Sequence, residues 1–265
     1  MKLISLNTLG GRIFEPLMNF IKTESETTDI FCLQEILDTA TDIIDRHGYR
    51  ANLLNELKLI LPDFTPFFSI TQKNCDYTGL IEEEIDSGNA IFIKKGLEII
   101  SNSDAYISDG DDSGGYTLFP SKVQGVNLNI EGKSLIISNL HGVSEPGDKL
   151  DNENRIEQSN KVLNFNKQFE GEKIIVGDFN LLPETESIKM FEKSGYKNLV
   201  KDFSIKSTRG SLIKQLHPEY EGTAQGWQEF ADYAFTTKGI SVTKFEVPDI
   251  PISDHLPLIL EFEIL

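Results

Sequence analysis

The sequence lacks any long uninterrupted run of apolar residues. Apolar residues make up 39% of the chain, but no run approaches the roughly 20 residues that a helix needs to cross a bilayer. The first segment, Met1–Asn7, turns polar too early for a secretory signal peptide. We therefore expect a cytoplasmic, monomeric protein with no stable membrane insertion.

Cysteine is scarce as well. Cys32 lies inside an apolar run and Cys75 lies in a polar segment. This context predicts one buried thiol and one loop thiol. It argues against a disulfide framework and against a cysteine metal site.

Positive charge is also in short supply. The chain has 25 Lys and Arg against 42 Asp and Glu, which gives a net charge of −17. A protein that binds by neutralising many phosphates normally presents a basic face. The charge therefore disfavours tight binding of duplex nucleic acid, although nucleic acid stays among the candidate substrates.

What the sequence does contain is a series of short apolar, β-branched runs that predict strands. These are Leu3–Leu6, Ile30–Leu33, Asn89–Ile93, Val123–Ile130, Leu135–Leu140, Lys173–Val176, Tyr233–Thr236, Ser241–Phe245 and Leu258–Phe262. Helical periodicity covers Glu15–Lys22, Asp151–Phe169 and Thr185–Lys193. Strands outnumber helices and many are joined by short turns, which predicts a layered α+β fold with largely antiparallel sheets. Because no repeat or linker divides the chain, we expect residues 1–265 to form one domain.

Polar side chains recur where these strands end. Strand ends are rigid, so they can aim several side chains at one point. The residues are Asn7, Glu35, His141, the pair Asp178 and Asn180, and the pair Asp254 and His255 just before the last strand.

Each residue alone also has a structural interpretation. Asn7 could cap a turn or helix, Glu35 could begin a helix, and Asp178 with Asn180 could form an Asx-turn. A lone histidine such as His141 is more often structural than functional. It is the joint occurrence and order of these residues that favours a shared site.

That order resembles the endonuclease/exonuclease/phosphatase superfamily, which includes deoxyribonuclease I-like nucleases, sphingomyelinases and inositol-phosphate phosphatases. The matching segments are Ser5-Leu6-Asn7, Cys32-Leu33-Gln34-Glu35, Gly88–Phe92, Ser138–His141, Gly177-Asp178-Phe179-Asn180, Asp232–Phe235 and Ser253-Asp254-His255-Leu256-Pro257. Gly-Asp-Phe-Asn and the terminal Ser-Asp-His are the most specific of them. The resemblance spans the chain and implies a four-layered α/β sandwich, with two packed, largely antiparallel sheets flanked by helices.

The resemblance also implies roles. Glu35 would be the principal Mg²⁺ ligand, with Asn7 beside it and Asp254 contributing, and Mn²⁺ would substitute for Mg²⁺ at such hard oxygen ligands. Asp178 would orient or deprotonate the attacking water or assist the leaving group, and Asn180 would hold a phosphate oxygen.

Three further residues complete the implied catalytic set. His255 would contact the scissile phosphate, oriented by Asp232 through its other ring nitrogen. His141 would hydrogen-bond the phosphate or protonate a leaving group. The implied reaction is Mg²⁺-dependent hydrolysis of a phosphoester, foremost a phosphodiester as in a nuclease. A phosphatase, a phospholipid phosphodiesterase and an inactive cation-binding module are the alternatives.

Residues outside these motifs supply weaker expectations about substrate. Lys122 stands where relatives commonly have an arginine, so it is a candidate phosphate contact. Trp227, the sole tryptophan, is expected to line the cleft and stack on a base or sugar. Arg209 lies in a basic segment for which a solvated loop is favoured over a phosphate clamp. The apolar stretch Leu57–Phe68 is interpreted as core rather than as a lid or lipid contact.

Overall fold

Successive residues of each central strand point to opposite faces of its sheet, and this alternation determines which layers pack against the sheet. The computed structural model describes residues 1–41, 45–46, 48–76, 79–109, 119–223 and 226–265. Its strands are β1 (Lys2–Asn7), β2 (Ile30–Thr39), β3 (Asp45–Arg46), β4 (Tyr49–Arg50), β5 (Phe64–Gln72), β6 (Cys75–Asp76), β7 (Gly79–Leu80), β8 (Ile85–Lys94), β9 (Glu98–Ser108), β10 (Ser121–Ile130), β11 (Lys133–His141), β12 (Glu172–Asp178), β13 (Lys197–Asn198), β14 (Asp232–Thr236), β15 (Ile240–Glu246) and β16 (Leu258–Ile264). Its helices are α1 (Phe14–Glu24), α2 (Leu53–Ile60), α3 (Glu153–Lys167), α4 (Glu186–Lys193), α5 (Leu199–Asp202) and α6 (Ile213–Leu216).

Two six-stranded sheets form the centre of the fold. The first has the strand order β15-β16-β1-β2-β8-β5, and the second has the order β13-β14-β12-β11-β10-β9. Among the described strands, each of these sheets has one parallel pair, β1 with β2 and β11 with β12. The other neighbours in both sheets are antiparallel. The prediction of largely antiparallel sheets is confirmed.

The first sheet buries both of its faces. Ile30 and Cys32 of β2 belong to the core shared with the second sheet, whereas Phe31 and Leu33 belong to a core shared with helices α1 and α2. Successive residues of a strand point to opposite faces, which explains why the run is continuously apolar. The helical layer on this face therefore follows from the sequence of the strand.

The second sheet is covered by α3 and α4. Phe191 of α4 stacks on Phe235 of β14 with 4.7 Å between ring centroids. On α3, Phe165 lies so close to β10 that a Cβ added at Gly125 would come within 2.8 Å of its ring. The architecture is helices, sheet, sheet, helices, so the predicted four-layered sandwich is confirmed. Among the described residues, no helix is long and apolar enough to span a membrane.

A small polar network crosses the buried interface between the sheets. Gln34 Nε2 donates to Asn139 Oδ1 at 2.6 Å, and Asn139 Nδ2 donates to the Leu33 carbonyl at 3.1 Å. Both side chains are fully buried, and buried polar groups are stable only when they are bonded. The network fixes the register of one sheet on the other directly beneath Glu35.

Two features, strand β9 and the environment of Cys75, differ from the sequence-based expectations, and one expectation is confirmed. Strand β9 was not predicted, because its exposed residues Ser101–Asp104 carry no apolar alternation. The stretch Leu57–Phe68 divides between α2 and β5, and Leu57, Leu61 and Phe64 are buried, which confirms the core interpretation for them. Cys75 was expected to be a loop thiol, but it is buried in β6, where burial raises its pKa to about 11. Both cysteines are free.

Candidate active site

Strand register in the second sheet brings three predicted residues side by side. His141 ends β11 and pairs with Asp178 at the end of β12, and Asp178 in turn pairs with Asp232 at the start of β14. Gly177 makes the tight approach to β11 feasible, because its φ is +136° and a Cβ there would lie 2.1 Å from the Leu140 carbonyl oxygen.

The first sheet contributes Asn7 and Glu35. Asn7 ends β1, and its Nδ2 donates to Glu35 Oε1 at 2.8 Å and to Asp178 Oδ2 at 3.1 Å. Glu35 lies in a β-bulge of β2 and has a left-handed backbone, with φ of 56°. A bulge re-aims a side chain, and strained backbone of this kind collects at functional sites. Asn7 therefore joins the acidic residues of the two sheets.

The loop before β16 completes the centre. His255 is buried, its Nδ1 lies 2.8 Å from Asp232 Oδ2, and its Nε2 lies 3.6 Å from Asp178 Oδ2. His141 Nε2 lies 3.6 Å from the same Asp178 oxygen and 3.8 Å from Glu35 Oε1. Distances of 3.6 Å exceed a hydrogen bond, so these atoms border a common space rather than bond directly to one another.

Arg209 also reaches this centre. Its Nη1 lies 2.5 Å from His255 Nε2, and its Nη2 donates to Asp254 Oδ2 at 2.5 Å. Arginine can only donate, so in this arrangement His255 Nε2 accepts and the ring is neutral, with its proton on Nδ1 facing Asp232. Burial and Arg209 lower the pKa of His255, but the carboxylates of Asp232, Asp254 and Asp178 outweigh them and raise it.

Asn180 lies on the other side of Asp178. Its backbone is left-handed, with φ of 53°, and its N–H donates to Asp178 Oδ1 at 2.9 Å. Asn180 Nδ2 donates to the Gly142 carbonyl at 3.1 Å, and Asn180 Oδ1 accepts from Lys149 Nζ at 2.5 Å. The Asx-turn foreseen as the structural alternative is present, and it orients Asn180 as well.

The buried carboxylates differ in their affinity for protons. Burial raises the pKa of Asp178, but the nearby His255, Lys149 and His141 outweigh burial and lower the pKa to about 2. Burial likewise opposes ionisation of Asp254, yet Arg209 and His255 hold its pKa well below the usual range. The pKa of Asp232 is raised by burial and by the charge of Asp178. The surroundings therefore favour ionisation of Asp178 and Asp254 and disfavour that of Asp232.

This donor set suits a hard divalent cation. The carboxylates of Glu35, Asp178, Asp232 and Asp254 converge with the amide of Asn7. Among the described residues, Asp178, Asp232 and His255 offer ligand atoms that lie within 4.8 Å of one another. Asp232 and His255 already bond to each other at 2.8 Å, so an ion between them would have to replace that bond. Among the described residues, no histidine lies within hydrogen-bonding distance of Glu35 or Asn7, so a cation bound there would not have to displace a histidine.

Most of these groups, though not Asn7 or Asp232, line a cavity of about 320 Å³, the lower end of the range for small-molecule sites. Its described lining includes Glu35, His141, Asp178, Asn180, Asp254 and His255 on the catalytic side. Polar residues, among them Thr71, Gln72, Ser87, Asn89 and Ser121, face them.

Two of the expected substrate contacts do not line this cavity. Lys122 Nζ pairs with Asp104 at 3.0 Å and lies over the Tyr106 ring. Trp227 Nε1 donates to the His217 carbonyl at 3.1 Å, and Lys214 lies over its ring. Lys122 is held by residues of the adjacent strand β9, and Trp227 is held by His217 and Lys214, so the positions of both side chains argue against the expected contacts.

Sequence reasoning missed two residues that do line the cavity, Lys149 and His217, and it favoured a solvated loop for a third, Arg209. Arg209 was expected in a solvated loop, but its side chain is 9% exposed and it pairs with Asp254. His217 Nε2 lies 3.2 Å from the same Asp254 oxygen, and its ring stacks on Tyr220. None of the three ends a predicted strand, which was the signal that identified the other residues.

The sandwich of two sheets and the cluster at their central strand ends define a deoxyribonuclease I-like fold. The chain belongs to the endonuclease/exonuclease/phosphatase family, whose model matches residues 4–255. No curated protein matches the chain by sequence.

Several solved structures share this fold. A mannosyl-6-phosphatase from Bacteroides thetaiotaomicron has a TM-score of 0.71 at 16% identity, with 100% of both chains covered. The human Nocturnin catalytic domain with bound sulfate has a TM-score of 0.67 at 18% identity, covering 100% of this chain and 93% of that one. A humanized TDP2 from D. rerio has a TM-score of 0.68 at 13% identity, covering 99% and 98%. At such identities the similarity concerns the fold.

Proposed function

We propose that this protein is a Mg²⁺-dependent phosphoester hydrolase that cleaves a P–O bond by metal-assisted attack of water. The observation that carries the proposal is the position of Asp178. Its Oδ2 lies 3.1 Å from Asn7 Nδ2 and 3.6 Å from both His141 Nε2 and His255 Nε2. Residues from both sheets thus converge on one carboxylate at the base of an open cavity. Family membership supports the same reaction class.

Glu35 and Asn7 are the proposed metal-holding residues. Glu35 is 15% exposed at the cavity, and turning the Asn7 amide would offer its oxygen beside the Glu35 carboxylate. Bound there, Mg²⁺ would polarise the phosphoryl group and neutralise charge that develops on its oxygens.

Asp254 is better suited to another role than the metal ligation expected of it. Its Oδ2 already accepts from Arg209 and lies 3.2 Å from His217 Nε2. A carboxylate that serves two cationic partners is poorly available to a metal. We assign Asp254 to positioning Arg209 and His217 at the phosphate.

Asp178 would orient the attacking water. A carboxylate with a pKa of about 2 is a weak base, so its contribution is to hold the water in line through a hydrogen bond rather than to remove its proton early. The Asn180 N–H donates to Asp178 Oδ1 at 2.9 Å, which helps to fix that direction.

His255 and His141 would act on the phosphate and the leaving group. Asp232 fixes His255 through Nδ1, so that Nε2 faces the cavity. As a cation, His255 would stabilise the charge of the transition state. His141 is 27% exposed at the cavity, where a leaving group could reach it, which suits the donor that protonates the departing oxygen.

The test is hydrolysis of p-nitrophenyl phosphate and bis(p-nitrophenyl) phosphate with Mg²⁺ or Mn²⁺, with and without a chelator. Glu35→Gln and His255→Ala should lower kcat by about 10²–10⁴-fold while the unfolding temperature stays near that of the wild type. Glu56→Gln is the matched control, because Glu56 is similarly buried, at 18% exposure, but pairs with Arg50 outside the cavity. Chelator-insensitive turnover, or full activity in Glu35→Gln, would refute the proposal. No turnover of any phosphoester would favour the inactive cation-binding module instead.

A further inference from the structure

Lys149 is a buried cation whose bonding is incomplete. The residue lies in the loop between β11 and α3, is 8% exposed and lines the cavity. An ammonium group has three N–H donors. Within the described residues, Nζ makes one hydrogen bond, to Asn180 Oδ1, and no carboxylate lies within ion-pairing distance of it. Two donors are therefore left to face the cavity.

The backbone of Lys149 adopts an energetically unfavourable conformation. Its φ is 55°, a left-handed conformation that a residue with a Cβ rarely adopts. The Lys149 carbonyl accepts from the Leu182 N–H at 3.0 Å, which ties it to the loop that carries Asn180. Burial lowers the pKa of the ammonium to about 8. One hydrogen bond to a neutral amide does not offset the free-energy cost of burying a charge. The bond to Asn180 alone therefore does not explain why a lysine is buried at this position.

Arg209, on the opposite side of Asp178, also has a hydrogen-bond donor that is not satisfied. Its Nη atoms contact His255 and Asp254, but its buried Nε has no partner within the described residues. Its loop is anchored to the centre, because the Gly210 N–H donates to the Asp254 carbonyl at 2.7 Å. Two groups that are cationic at neutral pH thus flank the reaction centre of a chain whose net charge is −17.

On the basis of the proposed function, we propose that Lys149 and Arg209 form a cradle for a terminal phosphate, so that the substrate is a phosphomonoester. A terminal phosphate has three non-bridging oxygens and nearly two negative charges at pH 7, whereas a diester has two such oxygens and one charge. Lys149 would bind an oxygen on the Asn180 side, and Arg209 would bind one on the His255 side. The cavity then supplies two cations in addition to the metal, which matches a dianion.

The reaction balances without any further reagent. The water oxygen forms a bond to phosphorus and the P–O bond to the alcohol breaks. One water proton ends on the released alcohol, and inorganic phosphate carries the other. Hydroxyl and amide side chains elsewhere in the cavity lining, such as Gln72, Ser87 and Asn89, suit a small polar alcohol.

The experiment compares kcat/KM for p-nitrophenyl phosphate and bis(p-nitrophenyl) phosphate with Mn²⁺ in the wild type, Lys149→Met and Arg209→Met. The wild type should prefer the monoester. Each variant should lose about 10- to 100-fold on the monoester, the value of a hydrogen bond to a charged group, and clearly less on the diester. Lys149→Arg should recover part of the monoester rate. Lys2→Met is the matched control, since Lys2 pairs with Glu24 outside the cavity.

Binding of inorganic phosphate, followed by the shift in unfolding temperature, gives a readout independent of turnover. Phosphate should stabilise the wild type and Lys2→Met but not Lys149→Met or Arg209→Met. A preference for the diester, or equal losses on both substrates, would overturn the phosphomonoester assignment while leaving the proposed function intact. Unchanged phosphate stabilisation in both variants would overturn the cradle itself. Absence of turnover with every substrate, despite phosphate binding, would instead count against the proposed function.

Discussion

The Nδ1 atom of His255 lies 2.8 Å from Asp232 Oδ2, while the Nε2 atom of the same ring lies 2.5 Å from Arg209 Nη1. A buried carboxylate and a guanidinium therefore contact the two nitrogens of one imidazole. This arrangement fixes the tautomer of the ring and directs Nε2 into the cavity.

The first prediction follows from that tautomer. An amide at position 232 would donate to Nδ1, move the ring proton to Nε2 and bring it against Arg209. We expect Asp232→Asn to lower kcat by about 10²–10⁴-fold with little change in KM, as measured by steady-state kinetics. Asp104→Asn, which alters a partner of Lys122 outside the cavity, should retain activity. Wild-type kcat in Asp232→Asn would show that the orientation of His255 is unimportant.

The second prediction concerns pH. Because the folded-state pKa of Lys149 is about 8, the ammonium is charged below that value and loses its proton above it. We expect kcat/KM for a phosphomonoester to be level at neutral pH and to fall as the pH rises through about 8. Lys149→Arg should move this decline to higher pH, since a guanidinium stays charged. An unchanged alkaline limb in that variant would assign the decline to another group.

The third prediction is that Lys149 lowers stability. Its pKa falls from 10.5 to about 8 on folding, so the unfolded chain binds the proton more tightly. At pH 7, Lys149→Met should raise the free energy of unfolding by about 1–3 kcal/mol, measured by chemical denaturation. Between pH 8 and 10.5 the unfolded state holds more protons, so the wild type should gain stability and the difference should close. A less stable variant at pH 7 would mean that the lysine is structural.

The fourth prediction tests how closely β12 approaches β11. A Cβ at Gly177 would lie 2.1 Å from the Leu140 carbonyl oxygen, whereas one at Gly195 would meet nothing within 4 Å. Both glycines have positive φ, at 136° and 92°, so Gly195→Ala controls for backbone strain. Gly177→Ala should cost about 2–5 kcal/mol or prevent folding, and Gly195→Ala should cost about 1 kcal/mol. Equal costs in denaturation would show that the strand can shift to make room.

Residues that end strands were predictable because their positions follow from local patterns. Asn7, His141 and Asp178 each follow an apolar run, and the structure places each at the end of its strand. The apolar runs also predicted the central strands, since burial on both faces demands them. Strand β9 was not predicted because one of its faces is solvated and polar.

Residues held by loops were not predictable in the same way. Arg209 belongs to a segment that gave no periodic signal, and its burial depends on Asp254, which lies 45 residues further along the chain. Lys149 becomes part of the site only because its loop bonds to Leu182. The local sequence around a basic residue in a polar segment looks the same whether its side chain is solvated or buried, so it does not predict which of the two occurs.

The sequence by itself determined the layered α+β fold, the family and the residues at the strand ends, because hydrophobic period and motif order are local properties of the chain. Only the tertiary structure decided which charges meet. It placed Arg209 and Lys149 on either side of Asp178 and gave Asp254 cationic partners. It also left Lys122 and Trp227 outside the cavity. The reason is physical: the packing of distant segments sets the burial and partners of a charged side chain, and these determine what the charge can bind.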